Sequence, residues 1–552
     1  MISSSLLPTV TLMSTRLDAV TLEVLWTRLI SVVDEAAKAI VRTSFSTLSN
    51  EANDFACVLT DARGYALAQN SGSIPSFIGC LPATVRHFLA AFGPEGFRPG
   101  DVLITNDAWM GTGHMSDVCV LKPIFHRDRL VAFSATTAHM PDIGGRVRAI
   151  EAREVFEEGF HIPLTKLVRE GRPDTTLIEL LRANVRTPDQ TMGDIWAQAG
   201  ANELMERRVV ALMDDYGLDA LEPLGDELFA RAERAMRQAI RAVPDGTYRY
   251  GFRTDGTDVP FDFKIALTIA GDEIVADYTG TSPQQPRAIN CVLAYTYAMT
   301  AYAVRCALLP TLANNEGMYR PIRVVAPEGC LLNPRFPAAV VSRAVTGHYV
   351  PVLVLGALHR VIPDRVMAGA GSPLWAITQS GLRTDGRPYT NVMFFNGGMG
   401  ATATNDGEPV LSWPSNISST PVEVAERNSP LFFHYKRMSP GSGGAGKFRG
   451  GLGQEMRIEN ESATPIVMSF MAERTTYPAP GLAGGATGGR GEVRLNGKRI
   501  DNRKQYMLRK GDTVVLRTPG GGGYGSPRAR GRALVERDRA LGYVNRSARP
   551  KR

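Results

Sequence analysis

Cysteine is scarce in this chain of 552 residues. The sequence has six cysteines and no Cys-x-x-Cys pair, so it carries neither a disulfide framework nor the clustered thiolates of a structural zinc site. Free thiols at this low density are typical of a reducing compartment. We therefore expect no disulfide bonds and a cytoplasmic location.

Signals for export and for membrane insertion are also lacking. The uncharged, largely apolar stretch at residues 288–304 is shorter than the roughly 20 apolar residues that span a bilayer. The first 15 residues have no basic segment followed by a long apolar core, unlike a signal peptide. The sequence therefore predicts no membrane contact, and it predicts a buried helix within the uncharged stretch.

A basic surface for nucleic acid is missing from the body of the chain. The formal net charge is +7, and the segment 528–552 alone carries nine basic and two acidic residues. The rest of the chain is therefore neutral overall, which argues against nucleic-acid binding. We expect the basic tail to be a solvated, disordered end.

Length and composition indicate a globular protein of three or four structural units, with 44% hydrophobic and 21% charged residues. The predicted fold class is α+β (mixed α/β), multidomain, with a Gly-rich β unit towards the C-terminus. The predicted units are a flexible N-terminus (1–17), an N-terminal metal-bearing α/β domain (18–245), a middle α+β domain (246–396), a Gly-rich β domain (397–527) and the basic tail (528–552).

Hydrophobic spacing supports this division. Helical periodicity predicts helices within residues 18–43, 173–243, 288–309 and 350–362. Short apolar runs around turns predict hairpins at residues 61–64, 126–129 and 271–272. Between residues 397 and 525 lie 24 of the 55 glycines. There we expect short strands joined by tight turns, with the glycines in the turns.

Two His-x-x-Asp units concentrate the ligand-type side chains. Their histidines, His114 and His139, lie 25 residues apart, and a hairpin between them would bring both histidines and Asp117 to one ion. A single His-x-x-Asp is usually a loop histidine bonded to a nearby carboxylate, but two copies favour a metal site. Neutral imidazoles and a carboxylate suit Zn²⁺, Mn²⁺ or Fe²⁺, and three protein ligands leave a position open for water or substrate.

Other titratable residues near these units have less defined roles. Asp107 and Asp142 are the candidate catalytic carboxylates; Asp142 could instead orient His139 or cap a turn. His126 lies in a predicted turn, where we expect it to be exposed. The histidines in apolar or mixed stretches are expected to be structural: His87, His348, His359 and His434.

Two glycine-rich segments match nucleotide motifs only in spacing. The segment 441–447 has phosphate-loop spacing, but Phe448 follows the lysine where a hydroxyl must hold Mg²⁺, and no helix begins there. The segment 520–525 fits G-x-G-x-x-G but runs into Ser-Pro-Arg instead of a helix. No G-x-S-x-G elbow or cysteine–histidine pair is evident, although Cys119 lies close to Asp117. The sequence therefore predicts no ATP site in this chain.

Longer motifs carry a family resemblance that runs collinearly from about residue 22 to 525. In order they are NDFACVLTD (53–61), TNDAWMGTGHMSDV (105–118), AHMPDIGG (138–145), EGFHIPLTKL (158–167), NVRTP (184–188), DYTGTS (277–282), NNEG (314–317), PEGCLLNP (327–334), GGAGKFRGGLGQ (443–454) and GGGGYG (520–525). In these segments the chain resembles the hydantoinase B/oxoprolinase family, which includes subunits of N-methylhydantoinases, part of 5-oxoprolinase and subunits of acetone- and acetophenone-type carboxylases.

The resemblance implies a division of labour between two subunits. An A-type partner binds ATP and phosphorylates the substrate oxygen, and the B-type chain completes the reaction at a metal site. It implies His114, Asp117 and His139 as ligands, with Asp54 as an additional ligand in lactam-opening relatives. Two departures affect substrate contacts: residues 49–53 read SNEAN, where the family commonly has Glu-Arg, and residues 110–114 read MGTGH instead of the usual GGTH or GGSH.

The leading functional hypothesis is a B subunit of a hetero-oligomeric, ATP-dependent cyclic amidase acting on a hydantoin- or oxoproline-like ring. One alternative is a carboxylase subunit, in which an enolate attacks CO₂. Another is a non-catalytic scaffold that stabilises the A-type partner.

Overall fold

In the computed structural model, residues 18–146, 150–383 and 385–544 are described. The predicted flexible segment 1–17 lies outside these residues, as does the end of the basic tail from residue 545. The described chain combines helices with four β-sheets, so the mixed, multidomain fold class is confirmed. In this part of the chain, no helix is both long and apolar enough to cross a membrane.

The first part of the chain forms a seven-stranded antiparallel sheet in the order β2-β1-β5-β4-β3-β6-β7, with helices packed on it. The elements are α1 (Ala19–Thr43), α2 (Thr47–Asn50), β1 (Phe55–Asp61), β2 (Ala66–Gln69), α3 (Pro75–Phe92), β3 (Val102–Thr105), β4 (Asp117–His126), β5 (Arg129–His139), β6 (Thr165–Arg169), β7 (Arg172–Pro173), α4 (Thr175–Asn184), α5 (Pro188–Tyr216) and α6 (Glu222–Arg241).

The predicted first helix is confirmed. Asp18 caps α1, because its carboxylate accepts hydrogen bonds from the backbone N–H groups of Val20 and Thr21 at 2.9 Å. The apolar positions spaced three and four residues apart are the ones that α1 buries. The predicted hairpins β1–β2 and β4–β5 and the helical region before residue 243 are also present.

The second sheet, in the order β11-β10-β9-β8, is antiparallel except for the parallel pair β10–β11. This part of the chain contains β8 (Gly246–Thr254), β9 (Phe261–Ala270), β10 (Glu273–Asp277), α7 (Leu293–Leu308), β11 (Ile322–Val325), α8 (Ala344–Gly347) and α9 (Val350–Leu358). Helix α7 lies within the predicted helical region and packs on α3. One cluster of buried side chains therefore joins this part to the first sheet.

Two further sheets complete the fold, in the orders β13-β12-β16-β19 and β14-β15-β20-β17-β18. Their elements are β12 (Trp375–Leu382), β13 (Pro388–Phe395), α10 (Val422–Asn428), β14 (Leu431–Met438), β15 (Gln454–Asn460), β16 (Ile466–Met471), β17 (Glu492–Leu495), β18 (Lys498–Arg499), β19 (Tyr506–Leu508), β20 (Thr513–Arg517) and α11 (Arg532–Ala540). A second buried cluster lies among these strands. The third sheet joins strands from both sides of residue 397, where the sequence places a domain boundary.

The glycines of the last quarter of the chain differ from the expectation. Only five of the 24 have a positive φ angle: Gly441, Gly484, Gly497, Gly511 and Gly525. Many of the others lie in extended segments that pack backbone against backbone. Gly444 N–H donates to Gly521 O at 2.8 Å, and Gly521 N–H donates to Gly451 O at 3.0 Å. Most of these glycines therefore permit close backbone contact and do not form turns.

The expectation of a disordered tail over 528–552 is wrong for residues up to 544. Helix α11 lies in this segment, and the Arg530 guanidinium, 9% exposed, contacts Asp406 and Asp538 at 2.7 Å each. The composition is polar, but buried ion pairs attach these residues to the glycine-rich region. The charge excess therefore does not by itself make this part of the tail disordered.

Candidate metal centre

The β4–β5 hairpin brings the two His-x-x-Asp units together. Asp117 is the first residue of β4 and lies opposite His139, the last residue of β5, while His114 lies in the loop that leads into β4. One ligand atom from each of the three side chains lies within 4.8 Å of the others, and all three residues are buried. The structure therefore places these residues as the predicted hairpin requires.

The contacts of His114 leave one ring nitrogen oriented towards a carboxylate. His114 Nδ1 lies 2.7 Å from the carbonyl oxygen of Val341, and a carbonyl only accepts, so the proton of the neutral ring is on Nδ1. Nε2 then carries a lone pair. It lies 2.7 Å from Asp117 Oδ1 but has no hydrogen-bond partner among the described residues. Two buried electron-rich atoms at this distance require a positive charge between them, which is the arrangement of a metal site.

Asp117 uses both carboxylate oxygens. Its Oδ1 faces both imidazoles, with His139 Nδ1 at 2.9 Å. Its Oδ2 accepts hydrogen bonds from Thr112 Oγ1 and from Arg343 Nη2, both at 2.6 Å. The same guanidinium donates through Nε to Thr112 O at 2.7 Å and lies 4.7 Å from the centre of the Tyr295 ring.

Burial and charge set the protonation states that a metal ligand needs. Burial, together with the Arg343 charge, lowers the pKa of His114 to about 3, so the ring is neutral at physiological pH. Burial opposes ionisation of Asp117, but the adjacent Arg343 guanidinium holds the pKa of its carboxyl well below the usual range. Two neutral imidazoles and an ionised carboxylate are the donors expected for a divalent transition metal.

Asp54 lies on the wall of the same cavity. It precedes β1, is buried, and its carbonyl oxygen accepts a hydrogen bond from the His139 N–H at 3.0 Å. The cavity that it lines with His114, Asp117 and His139 has a volume of about 30 Å³, enough for one small ion or water. Asp54 is not part of the cluster within 4.8 Å, so it stands beside the other three.

The two candidate catalytic carboxylates lie elsewhere. Asp107 Oδ1 accepts hydrogen bonds from the Trp109 and Met110 N–H groups at 2.9 Å, and Oδ2 lies 3.0 Å from His161 Nε2. Asp107 thus shapes the start of the loop that carries His114, and it lines a separate cavity with Trp109 and His161.

Asp142 is bound to the loop before α5. Its carboxylate accepts hydrogen bonds from the backbone and guanidinium of Arg186, the latter at 2.8 Å, and from Gly144 N–H at 3.1 Å. These contacts cap a turn, which is one of the two alternatives left by its sequence position. The structure does not bring Asp142 or Asp107 into the cavity of the two histidines.

Several residues around this cavity have no sequence signal. Arg343 and His348 both line the cavity, and His348 Nδ1 accepts a hydrogen bond from Leu374 N–H at 3.4 Å. Glu158 Oε1 accepts hydrogen bonds from the N–H groups of Val340 and Val341 at 2.5 and 2.8 Å, which positions the carbonyl that binds His114. Burial raises the pKa of Glu158 to about 8. These residues are far from His114 in sequence, so only the fold connects them.

His126 was expected to be exposed, and this is wrong. The residue is 5% exposed, and its Nε2 lies 2.9 Å from Asp214 Oδ1. Helix α5 packs over β4 and covers the ring. A local turn pattern does not report coverage by a helix that follows much later in the chain.

Comparisons with known proteins identify the family to which the chain is similar. The sequence profile described as Hydantoinase B/oxoprolinase matches residues 18–527. The caprolactamase subunit beta of Pseudomonas jessenii is 31% identical, covering 96% of this chain and 94% of that protein. The 5-oxoprolinase 1 of Arabidopsis thaliana is 29% identical over 92% of this chain, which spans only 42% of that longer protein.

Solved structures show the same fold. The crystal structure of the ATP-dependent caprolactamase from Pseudomonas jessenii superposes with a TM-score of 0.88 at 28% identity, covering 96% of this chain and 95% of the other. A nucleotide-free acetone carboxylase superposes with a TM-score of 0.87 at 19% identity, covering 96% and 78% of the two chains. At that identity the second likeness shows the fold alone.

Proposed function

Because the chain belongs to the hydantoinase B/oxoprolinase family, we propose that it is the B-type subunit of an ATP-dependent cyclic amidase. It opens a ring amide that a partner A-type subunit has activated by phosphorylation. The observation that carries this proposal is the buried contact between His114 Nε2 and Asp117 Oδ1. The identity to a caprolactamase subunit favours amide hydrolysis.

A divalent transition metal, Zn²⁺, Mn²⁺ or Fe²⁺, fits the donor set of His114, Asp117 and His139, with Asp54 beside it. When bound, such a metal polarises a carbonyl or lowers the pKa of a water molecule. The chain's own residues prepare the site: Val341 O fixes the His114 tautomer, and Arg343 keeps Asp117 ionised. The buried walls limit access of bulk water to these side chains.

ATP binding is assigned to the partner. The phosphate-loop-like segment 441–447 is held by neighbouring backbone: an added Cβ at Gly443 would lie 2.0 Å from Gly450 O, and one at Gly444 would lie 2.4 Å from Ala486 O. This packing leaves no space for phosphates against these glycines. The caprolactamase relative, 94% of which this chain covers, is itself named as a subunit, which supports a separate A-type chain.

Metal analysis and turnover test the proposal together. The chain is purified with its A-type partner, and the metal content is measured for the wild type, His114→Ala and His434→Ala. His434 is a control on the surface, where its Nε2 lies 2.7 Å from Glu459 Oε2. We expect one metal and ATP-dependent ring opening in the wild type and the control, and loss of both in His114→Ala. Retention of metal and turnover by His114→Ala would contradict the proposal. A wild type without bound metal, with turnover that His114→Ala leaves unchanged, would support a scaffold.

Labelled bicarbonate distinguishes hydrolysis from carboxylation. Ring opening by water leaves the label in solution, whereas a carboxylase places it in a new carbon–carbon bond. Label in the product would reject the amidase function.

A further inference from the structure

A second cavity adjoins the one that holds the two histidines. It has a volume of about 250 Å³ and lies between α2, α10 and β13. Three segments of the chain line both cavities. In each segment one residue lines the second cavity and a nearby residue lines the first: Leu48 and Asp54, Pro141 and His139, and Val392 and Phe394. Val392 and Phe394 are two positions apart on β13, a distance of about 7 Å, so the cavities are within reach of one small molecule.

The lining of this second cavity is polar and carries a net positive charge. Arg383 and Arg427 contribute two guanidinium groups, and Glu51 is the one carboxylate among the lining residues. Within the described residues, neither guanidinium lies within 4.0 Å of a carboxylate, unlike Arg253 and Arg343, which line other cavities and form such pairs. Arg383 lies over the Tyr389 ring at 5.7 Å.

Unpartnered buried polar atoms lie in the same walls. Thr390 is 7% exposed and lines the cavity, and its hydroxyl has no hydrogen-bond partner in the part of the chain that the structure describes. The side-chain oxygen of Asn50 is likewise buried and without a partner. Buried polar atoms are normally satisfied, so these groups indicate a polar ligand and not a cavity that exists only through loose packing.

We propose that this second cavity is a substrate subsite that binds an oxyanion through Arg383 and Arg427 while the ring amide lies against the two histidines. The proposal rests on the proposed function. Guanidinium groups bind carboxylate and phosphate oxygens through paired N–H donors, and Thr390 adds a hydroxyl. The oxyanion is either a carboxylate on the ring or the phosphoryl group that activation places on the substrate.

Calorimetric titration of the full chain with three probes tests this subsite. The probes are 5-oxoproline, its neutral counterpart 2-pyrrolidone, and inorganic phosphate. We expect 5-oxoproline or phosphate to bind at least about tenfold more tightly than 2-pyrrolidone, and Arg383→Gln and Arg427→Gln to remove that difference. Arg234→Gln, an exposed arginine on α6 outside the cavity, is the matched control and should leave it unchanged.

The outcomes identify the source of the oxyanion. They also distinguish failure of the subsite from failure of the proposed function. Preference for 5-oxoproline identifies a ring carboxylate, and preference for phosphate identifies the phosphoryl group. Three results would overturn the subsite: equal binding of all three probes, no binding of either anion, or a preference that survives both arginine substitutions. His114→Ala should keep the preference while losing metal, so failure of the amidase function would be seen separately.

Discussion

At the scale of single residues, the site depends on how Asp117 divides its contacts. One oxygen faces the two imidazoles and the other is held by Arg343 and Thr112. An ionised carboxylate buried to this extent needs such donors, because burial alone would favour its neutral form. Arg343 is therefore a positioning residue that acts through Asp117.

Substitution of Arg343 by lysine tests this role. Lysine keeps the charge but loses the fixed fork that joins Asp117 Oδ2 to Thr112 O, so we expect metal affinity to fall by about 10- to 100-fold. Chelator competition measures the affinity. Arg335→Lys, on the surface with its side chain 64% exposed, is the control. An unchanged affinity in Arg343→Lys would show that Asp117 needs no help from the guanidinium.

Glu473 gives the fold a pH dependence. It is buried next to Tyr349, whose hydroxyl donates to Oε2 at 3.2 Å, and burial together with nearby Asp255 raises its pKa to about 8. The folded state thus retains a proton that the unfolded state releases near the ordinary glutamate pKa. The stabilisation from Glu473 is fully present below the pKa that this residue has in the unfolded chain, and it is lost as the pH rises towards 8.

The variant Glu473→Gln should remove the contribution of this group to the pH dependence. We expect the wild-type free energy of unfolding to fall between about pH 5 and pH 8, by up to about 1.4 kcal/mol per pH unit. The thermal midpoint should fall with it, and the Gln variant should show a flatter profile. Glu461→Gln, an exposed position, should follow the wild type. Parallel profiles for wild type and Glu473→Gln would mean that Glu473 is ionised in the folded protein.

At the scale of elements, the glycine-rich segments act as a packed layer. An added Cβ at Gly521 would lie 2.0 Å from Met399 O, and one at Gly450 would lie 1.9 Å from Gly521 O. These contacts involve backbone atoms, which have little freedom to move away. The segments therefore need glycine for its size.

Alanine at Gly521 should be strongly destabilising. Overpacking usually costs about 1–3 kcal/mol, and here we expect the upper end of that range or more because the clash is with backbone. Differential scanning calorimetry measures the loss. Gly200→Ala is the matched control, since that site on α5 has nothing within 4 Å of the added Cβ. Equal thermal midpoints for the two variants would refute the packing argument.

At the scale of the whole molecule, the site is enclosed by residues from distant parts of the chain. His114 and Asp117 come from the first sheet region, Arg343 and His348 from the segment around α8, and Phe394 from the third sheet. The walls are complete only when all these parts have folded together. The chain is nevertheless proposed as half of a working enzyme.

Isolation of the chain tests that dependence. Alone, it should hydrolyse no ATP, because the glycine-rich segments are filled by backbone; together with the A-type partner it should show ATP-dependent ring opening. Phosphate release measured with and without the partner gives the answer. Substantial ATP hydrolysis by the purified chain alone would place a nucleotide site in it and contradict the division of labour.

Local patterns in the sequence were enough for much of the fold. The helix of residues 18–43, the hairpins at Asp61–Gly64 and His126–Arg129, and the helices before residue 243 follow from periodicity and turn residues. The hairpin between the two histidines follows as well, but its exact register does not. The turn that pairs His126 with Arg129 would oppose Asp117 to Ala138, and a β-bulge next to Ile124 shifts the pairing by one residue to His139.

The tertiary structure alone decided the rest. Contacts between segments far apart in sequence determine three features: the coverage of His126 by α5, the attachment of Arg530 to Asp406, and the backbone packing of the glycines. The same holds for Arg343, Glu158 and the second cavity. Sequence determines local conformation and neighbouring pairs, whereas burial, protonation and the walls of a site come from long-range packing that no local pattern encodes.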